Sequence, residues 1–344
     1  MHYYLVSSIH FASPTHKFQS MRSFIYLIKA GMASQIPQKR LTCSICSKPV
    51  KFCLCNRIKL PRIDNKVAVT ILQHRLEVKH PLNSARIASL GFRNVALHPV
   101  SDVNLGALVR IRLNNSDLGS VAEENEAQQY AYPPCCTDRE QHVTKNDGDA
   151  VVALVRKYGV LDLVESIWTS PNRKENRSSF SEILASSEAI KALKSGFVVE
   201  RFQNCDEMEA DWQGEAEFEV AVPAGSVLLF PSDKAVGVNE LSGKNREVKN
   251  LIVLDATWAK AKRIFKENPW LEFLPHIKLE HHGFSLYSDV RRQPKTGYKS
   301  TIESIVHAMK ALGDSNPGLD NLLAVFDSMI GDQRRCREER MKKI

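Results

Sequence analysis

The chain has 344 residues, room for roughly two domains of ~150 residues or one domain with a large insertion, and its 43% hydrophobic and 25% charged content is ordinary for a globular protein. No apolar run approaches the ~20 residues that cross a bilayer, so neither a membrane-spanning helix nor a membrane partner is expected. The net charge of +8 is uneven: residues 1–63 hold ten Lys/Arg and no acid, while residues 101–223 hold twelve Lys/Arg against twenty-two Asp/Glu. A positive body with an acidic insertion fits a polyanion partner on a defined face, and it also fits a plain solvated surface.

Residues 1–40 are rich in Ser and His, carry scattered Lys/Arg and lack acids. That composition suits an organellar transit segment, an extension upstream of a second start at Met32, or a disordered basic arm. The expected compartment is the cytoplasm or nucleus, or an organelle if the leader is a transit peptide. Cys43, Cys46, Cys53 and Cys55 follow in C-x2-C-x6-C-x-C spacing. Four thiols in one short polar stretch over residues 41–60 suit a closed, structural zinc knuckle. Two local disulfides and an iron-sulfur cluster are the alternatives.

Alternating Val67, Val69 and Ile71 predict a strand over Lys66–Leu72, followed by a helix over Pro81–Leu90 and a strand over Asn94–Leu97, which together make a βαβ unit. Residues 101–223 lose this rhythm. We read them as an insertion, part loop, with helical periodicity at Ala150–Ile167 and Ser181–Leu193. The sheet resumes in the strand 225–230, which stops at Pro231-Ser232-Asp233, and continues in Leu251–Leu254. A helix is predicted from Thr257 to about Asn268 and a strand over Ile277–Leu286. Tyr287–Lys299 forms a basic loop. Ser300-Thr301-Ile302-Glu303 reads as a capping box opening a helix through Leu312, and a last helix from about Leu319 ends in a basic tail over residues 331–344. No Gly-rich phosphate loop occurs, which argues against nucleoside triphosphate chemistry.

The candidate site is the corner Asp255-Ala256-Thr257-Trp258. A short unbroken apolar run reads as a parallel strand buried on both faces. Ligands in open α/β sheets settle beyond the carboxyl ends of such strands, near the free N–H groups that start the next helix. Asp255 can accept a proton or hold a cation, Thr257 can cap the helix, and Trp258 offers a flat surface for a base or an adenine. The plain alternative is a strand-to-helix turn with Trp258 in the core. His74, just past a strand end, is as well read as a structural histidine as a catalytic one.

The four-cysteine knuckle, Leu72-Gln73-His74, Leu229-Phe230-Pro231-Ser232, Asp255-Ala256-Thr257-Trp258 and the block Arg291–Glu303 together resemble the DTW-domain family in order and spacing. The resemblance covers about residues 41–100 and 224–330 and implies a catalytic domain over 61–330, interrupted by the acidic segment. It implies an α/β fold related to the SPOUT class, a mostly parallel sheet with helices on both faces. It also implies a eukaryotic-type tRNA-uridine aminocarboxypropyltransferase, which moves the 3-amino-3-carboxypropyl group of S-adenosylmethionine to N3 of a uridine in tRNA. On that reading Asp255 is the candidate base, with a rival role as a cofactor ligand. Pro231, Ser232, Asp255, Thr257 and Trp258 would hold the cofactor, and Arg291, Arg292, Lys295 and Lys299 would grip tRNA phosphates. The alternatives are a SPOUT-type RNA methyltransferase and a non-catalytic zinc-knuckle RNA-binding protein.

Overall fold

Near-continuous runs of Val, Ile and Leu build the central layer. The computed structural model describes residues 41–59, 61–113, 149–168, 180–205, 215–242, 247–280, 283–286, 288–291 and 298–342. The leader, Arg292 and Lys295 lie outside them. Six strands form the first sheet: β1 (Ala68–His74), β2 (Val95–Val100), β8 (Ser226–Leu229), β9 (Val236–Gly237), β10 (Asn250–Asp255) and β11 (His276–Lys278). Their order is β2-β1-β10-β8-β11-β9, and every described pairing is parallel. Inside this sheet Thr70 Oγ1 donates to Asn250 Oδ1 (3.1 Å), and Asn250 Nδ2 donates to Ser226 Oγ (3.2 Å). A one-residue slip would strand these buried polar groups without partners, so the ladder specifies the register of β1, β10 and β8.

Alternation along the strands loads the two faces differently. Val69, Ile71, Leu251 and Val253 pack against α2 (Ala85–Gly91), α7 (Thr301–Ala311) and α8 (Gly318–Met341). Leu72, Leu228 and Ile252 face the other way, toward α6 (Trp258–Glu267) and a second sheet. That sheet holds β3 (Gly106–Leu113), β4 (Asp149–Arg156), β5 (Leu161–Ser166), β6 (Gly196–Gln203) and β7 (Phe218–Pro223), in the order β5-β4-β3-β6-β7 and wholly antiparallel. Helices α3 (Phe180–Ala185) and α4 (Ser187–Lys194) precede β6, and α5 (Val238–Ser242) follows β9. The expectation of helices on both faces is therefore met on one face, while the other shares its cover between α6 and a sheet.

Several local expectations need correcting. Ala150–Ile167 is not helical but holds β4 and β5. An unbroken apolar run such as Ala150–Val155 has no decisive period, and the branched valines plus cross-strand partners make it a strand. Among the described residues the strand predicted over Ile277–Leu286 is β11 alone, ending at Lys278, and Ser285 Oγ and Leu286 N–H bond to the buried carboxylate of Glu303 (2.6 and 2.9 Å). The basic tail continues α8 as far as Met341. The capping box is confirmed: Ser300 Oγ accepts from Glu303 N–H while a Glu303 oxygen accepts from Ser300 N–H.

Two buried features clamp the second sheet to the first layer. Arg201 of β6 is fully buried, donates to Asn268 Oδ1 (3.1 Å) and Ser101 O (3.0 Å), and lies 3.5 Å from Glu217. Trp270, also fully buried, meets the Phe197 ring edge-on at 6.4 Å. Trp270→Ala should cost about 3–5 kcal/mol in urea unfolding. A loss below 1 kcal/mol would mean that the two layers hold together without it.

Candidate active site and cysteine cluster

One cleft opens where the carboxyl ends of β1, β8, β10 and β11 meet the starts of α6 and α7. Its lining includes Glu77, Phe230, Pro231, Asp255, Trp258, Lys278, Glu280, Arg291, Tyr298, Lys299 and Thr301. The parallel register sets Gln73 of β1 beside Asp255 of β10. Gln73 Nε2 donates to Asp255 Oδ2 at 2.6 Å and also reaches Asn83 Oδ1 at 3.2 Å. The Thr301 hydroxyl, in the first turn of α7, donates to Asp255 Oδ1. The carboxylate is buried yet lies on the cleft wall. Burial is the largest influence on it and raises its pKa above the usual carboxylate value, against the lowering effect of the Thr301 and Gln73 hydrogen bonds.

Trp258 is half-buried and stacked, with its ring centroid 4.5 Å from Tyr298 and 5.8 Å from Phe230, which in turn stacks on Phe265 at 4.8 Å. A column of aromatic rings thus leads from the core to the cleft. Arg291 pairs in a bidentate manner with the buried Glu77 (2.7 and 3.3 Å) of the short helix α1 (Arg75–Val78). Lys299 lines the cleft.

Thr257 sits at the N-cap of α6 but makes no side-chain capping bond, and its exposed side chain is not part of the lining. Ser232 lies just beyond the lining, with Oγ 2.5 Å from His276 Nδ1. The other ring nitrogen of His276 faces Leu271 O at 2.9 Å, and burial lowers the His276 pKa to about 4. The imidazole is therefore neutral, donating to Leu271 O and accepting from Ser232. His74 is the N-cap of α1: its Nδ1 accepts from Leu76 N–H (3.2 Å), while Nε2 lies 3.3 Å from Asp102. That is the structural role. Gln73, Glu77, Tyr298 and Thr301 carry the cleft without having been assigned roles in the sequence. Gln73 and Thr301 were visible only as members of larger motifs.

The sulfurs of Cys43, Cys46, Cys53 and Cys55 all lie within 4.8 Å of one another, and none is in a disulfide. Cys43 and Cys55 are 3.8 Å apart and Cys46 and Cys53 3.7 Å. A tetrahedron with Zn–S bonds of ~2.3 Å has edges of about 3.8 Å, so this donor set fits zinc. Backbone N–H groups of Cys46 and Ile45 lower the Cys43 pKa to about 6, whereas burial and the neighbouring Cys43 push Cys55 up to about 12. Without a cation the cluster does not carry four thiolates at neutral pH. The knuckle is anchored by Cys46, Leu54 and Ile58, buried in the same core as α2 and α8, and by Arg57 paired with Asp332 of α8 (2.7 Å).

A parallel α/β layer with a carboxylate-lined cleft at its strand ends and a separate four-cysteine knuckle define the class of protein by its architecture. Residues 40–334 match the DTW domain, and the chain belongs to that family. It is 34% identical over 98 residues to "tRNA-uridine aminocarboxypropyltransferase 2" of Drosophila melanogaster. That match covers 28% of this chain and 38% of the relative. No solved structure matches the chain.

Proposed function

We propose that this protein transfers the 3-amino-3-carboxypropyl group of S-adenosylmethionine to N3 of a uridine in tRNA and releases methylthioadenosine. The observation that carries the reading is the cleft itself, which gathers the DTW-family segments other than the cysteine knuckle, distant in sequence, around one buried carboxylate at the strand ends. Family membership and the name of the Drosophila relative point the same way. The all-parallel sheet with a cleft at its carboxyl edge supports relating the fold to the SPOUT class. Bound S-adenosylmethionine would supply a sulfonium that activates three carbons, the choice among them depending on which is held against the acceptor.

The residues present fit that group. Asp255 and Glu280 line the cleft together with Lys278 and Lys299, while Glu77 and Arg291 pair with each other, so carboxylates and cations are both at hand for the two charges of an amino acid arm. Asp255 is fixed by Gln73 and Thr301 and holds its proton more tightly than an ordinary carboxyl, which suits it to take the N3 proton of the uridine. Its rival role is to hold the ammonium of the donor. The column ending in Trp258 and Tyr298 provides a flat wall for a nucleobase. Zinc on the four cysteines would be structural, as no ligand position is left for substrate. For the uridine N3 to attack the methylene carbon next to the sulfonium, with the C–S bond breaking as methylthioadenosine leaves, the base must come out of its stack into the cleft.

Unmodified tRNA incubated with two donors, one labelled in the methyl group and one in the carboxypropyl carbons, separates the readings. Label should enter the tRNA only from the carboxypropyl donor, with methylthioadenosine released. Label entering only from the methyl group would make the protein a methyltransferase, and no label from either donor would leave an RNA-binding role.

A further inference from the structure

Beyond the cleft, cations without an assigned role gather on the outer side of α6. Trp258, Lys262 and Lys266 recur every four residues, so they follow one side of the helix over about 12 Å. Trp258 lines the cleft, and Lys262 Nζ lies 5.8 Å from its ring centroid. Lys262 and Lys266 are exposed, whereas Lys260 and Arg263 are engaged with Asp102. At the far end of the helix the turn between β4 and β5 docks closely. Tyr158 N–H donates to Glu267 Oε1 at 2.9 Å, and Gly159, at φ +80°, leaves no room for a Cβ, which would sit 2.2 Å from Lys266 O.

Tyr158 is the unusual residue in this turn. It is 61% exposed and left-handed, with φ 63°. A tyrosine held in a sparsely populated backbone region and facing solvent is unexplained by core packing. Its ring instead gathers charge, with Arg263 4.8 Å and Lys157 5.2 Å from its centroid.

We propose that Lys157, held over the Tyr158 ring, together with Lys262 and Lys266 of α6, forms a track for the phosphate backbone of the RNA strand that runs out of the cleft. The proposal rests on the tRNA reading above and adds where that RNA lies. The three ammonium groups are exposed and have no acid partner among the described residues. Glu267, the acid closest in sequence to Lys266, is buried and bonded to Val103 N–H and Tyr158 N–H. With one charge per ~3.4 Å of strand axis, 12 Å of helix follows about three nucleotides. Lysines acting as point charges set position and register without reading sequence.

The test uses the full-length protein, unmodified tRNA and a salt series. K157Q/K262Q/K266Q is compared with R337Q/R340Q/K342Q in the last turns and C-cap of α8, the helix that covers the opposite face of the parallel sheet. The track variant should lose at least about tenfold in tRNA affinity at 0.15 M salt, and its slope of log K against log salt should shrink by about 2 to 3. The α8 variant should keep the wild-type slope, and donor affinity by calorimetry should be unchanged in both. Tyr158→Ala should weaken tRNA binding severalfold, and Tyr158→Phe should restore it. A wild-type slope in the track variant, or an equal loss in the α8 variant, overturns the track while leaving the tRNA reading standing. A wild-type protein that binds no tRNA overturns both.

Discussion

Asp255→Asn is expected to lower kcat by about 10²- to 10⁴-fold, the usual worth of a positioned proton acceptor, while the KM for the donor stays near wild type. Asparagine keeps the shape of the side chain and can still meet Gln73 Nε2 and Thr301 Oγ1, so the cleft should survive the exchange. Steady-state kinetics then separates the two roles of this carboxylate. A donor KM raised many-fold with kcat preserved would make Asp255 a ligand for the donor's ammonium group and would remove it as the base. The pH dependence has a definite sign. Burial raises the pKa of Asp255 above its ordinary value, so the acid limb of the rate profile should lie above the usual carboxylate range and vanish in the variant. The folded state holds this proton more tightly than the unfolded chain, so folding takes up a proton in the window between the ordinary and the raised pKa. Wild-type stability relative to Asp255→Asn should therefore improve as pH falls through that window. Urea titrations at pH 7 and at pH 4.5 measure the difference.

Cys46→Ser, or removal of metal by a chelator, should undock the knuckle. Leu54 and Ile58 are buried against the α2 and α8 core only because the turns closed by the four cysteines present them there. Losing those two side chains is worth about 3–6 kcal/mol, which lowers Tm by on the order of 10 °C. Hydrogen exchange should show lost protection over residues 43–58 and along the facing side of α8, with the parallel sheet still protected. Because the knuckle lies apart from the cleft, donor affinity should fall far less than stability. An unchanged Tm after complete metal removal would show that the cysteines pack as plain thiols and contribute no metal-dependent stability.

The legible parts of this protein were those whose signal is local. Leu251–Leu254 reads as a buried strand, and the structure places it at the centre of the sheet with Asp255 at its carboxyl end. Ser300 and Glu303 read as a capping box and form one. The spacing of Cys43, Cys46, Cys53 and Cys55 carries a donor set, and their sulfurs converge. The antiparallel sheet was the main failure. Its five strands are joined across segments of polar composition, and an apolar run such as Ala150–Val155 suits a helix or a strand until partners such as Ile111 and Ser166 are known.

The cleft was legible only in part. Asp255 and Trp258 stand out at a strand end, but nothing near them in the chain announces that Gln73 and Thr301 will hold the carboxylate, or that Tyr298 will lie on the indole. Arg291 looked like one cation of a basic loop until its bidentate partner Glu77 came from the other end of the domain. What the amino-acid order determined by itself was the set of elements with short-range rules: strand periodicity, helix caps and ligand spacing. Which side chains share a hydrogen bond, which carboxylate loses its water, and which lysines remain outside were decided by tertiary packing, because solvation and pairing depend on neighbours that the chain brings together only when its layers close.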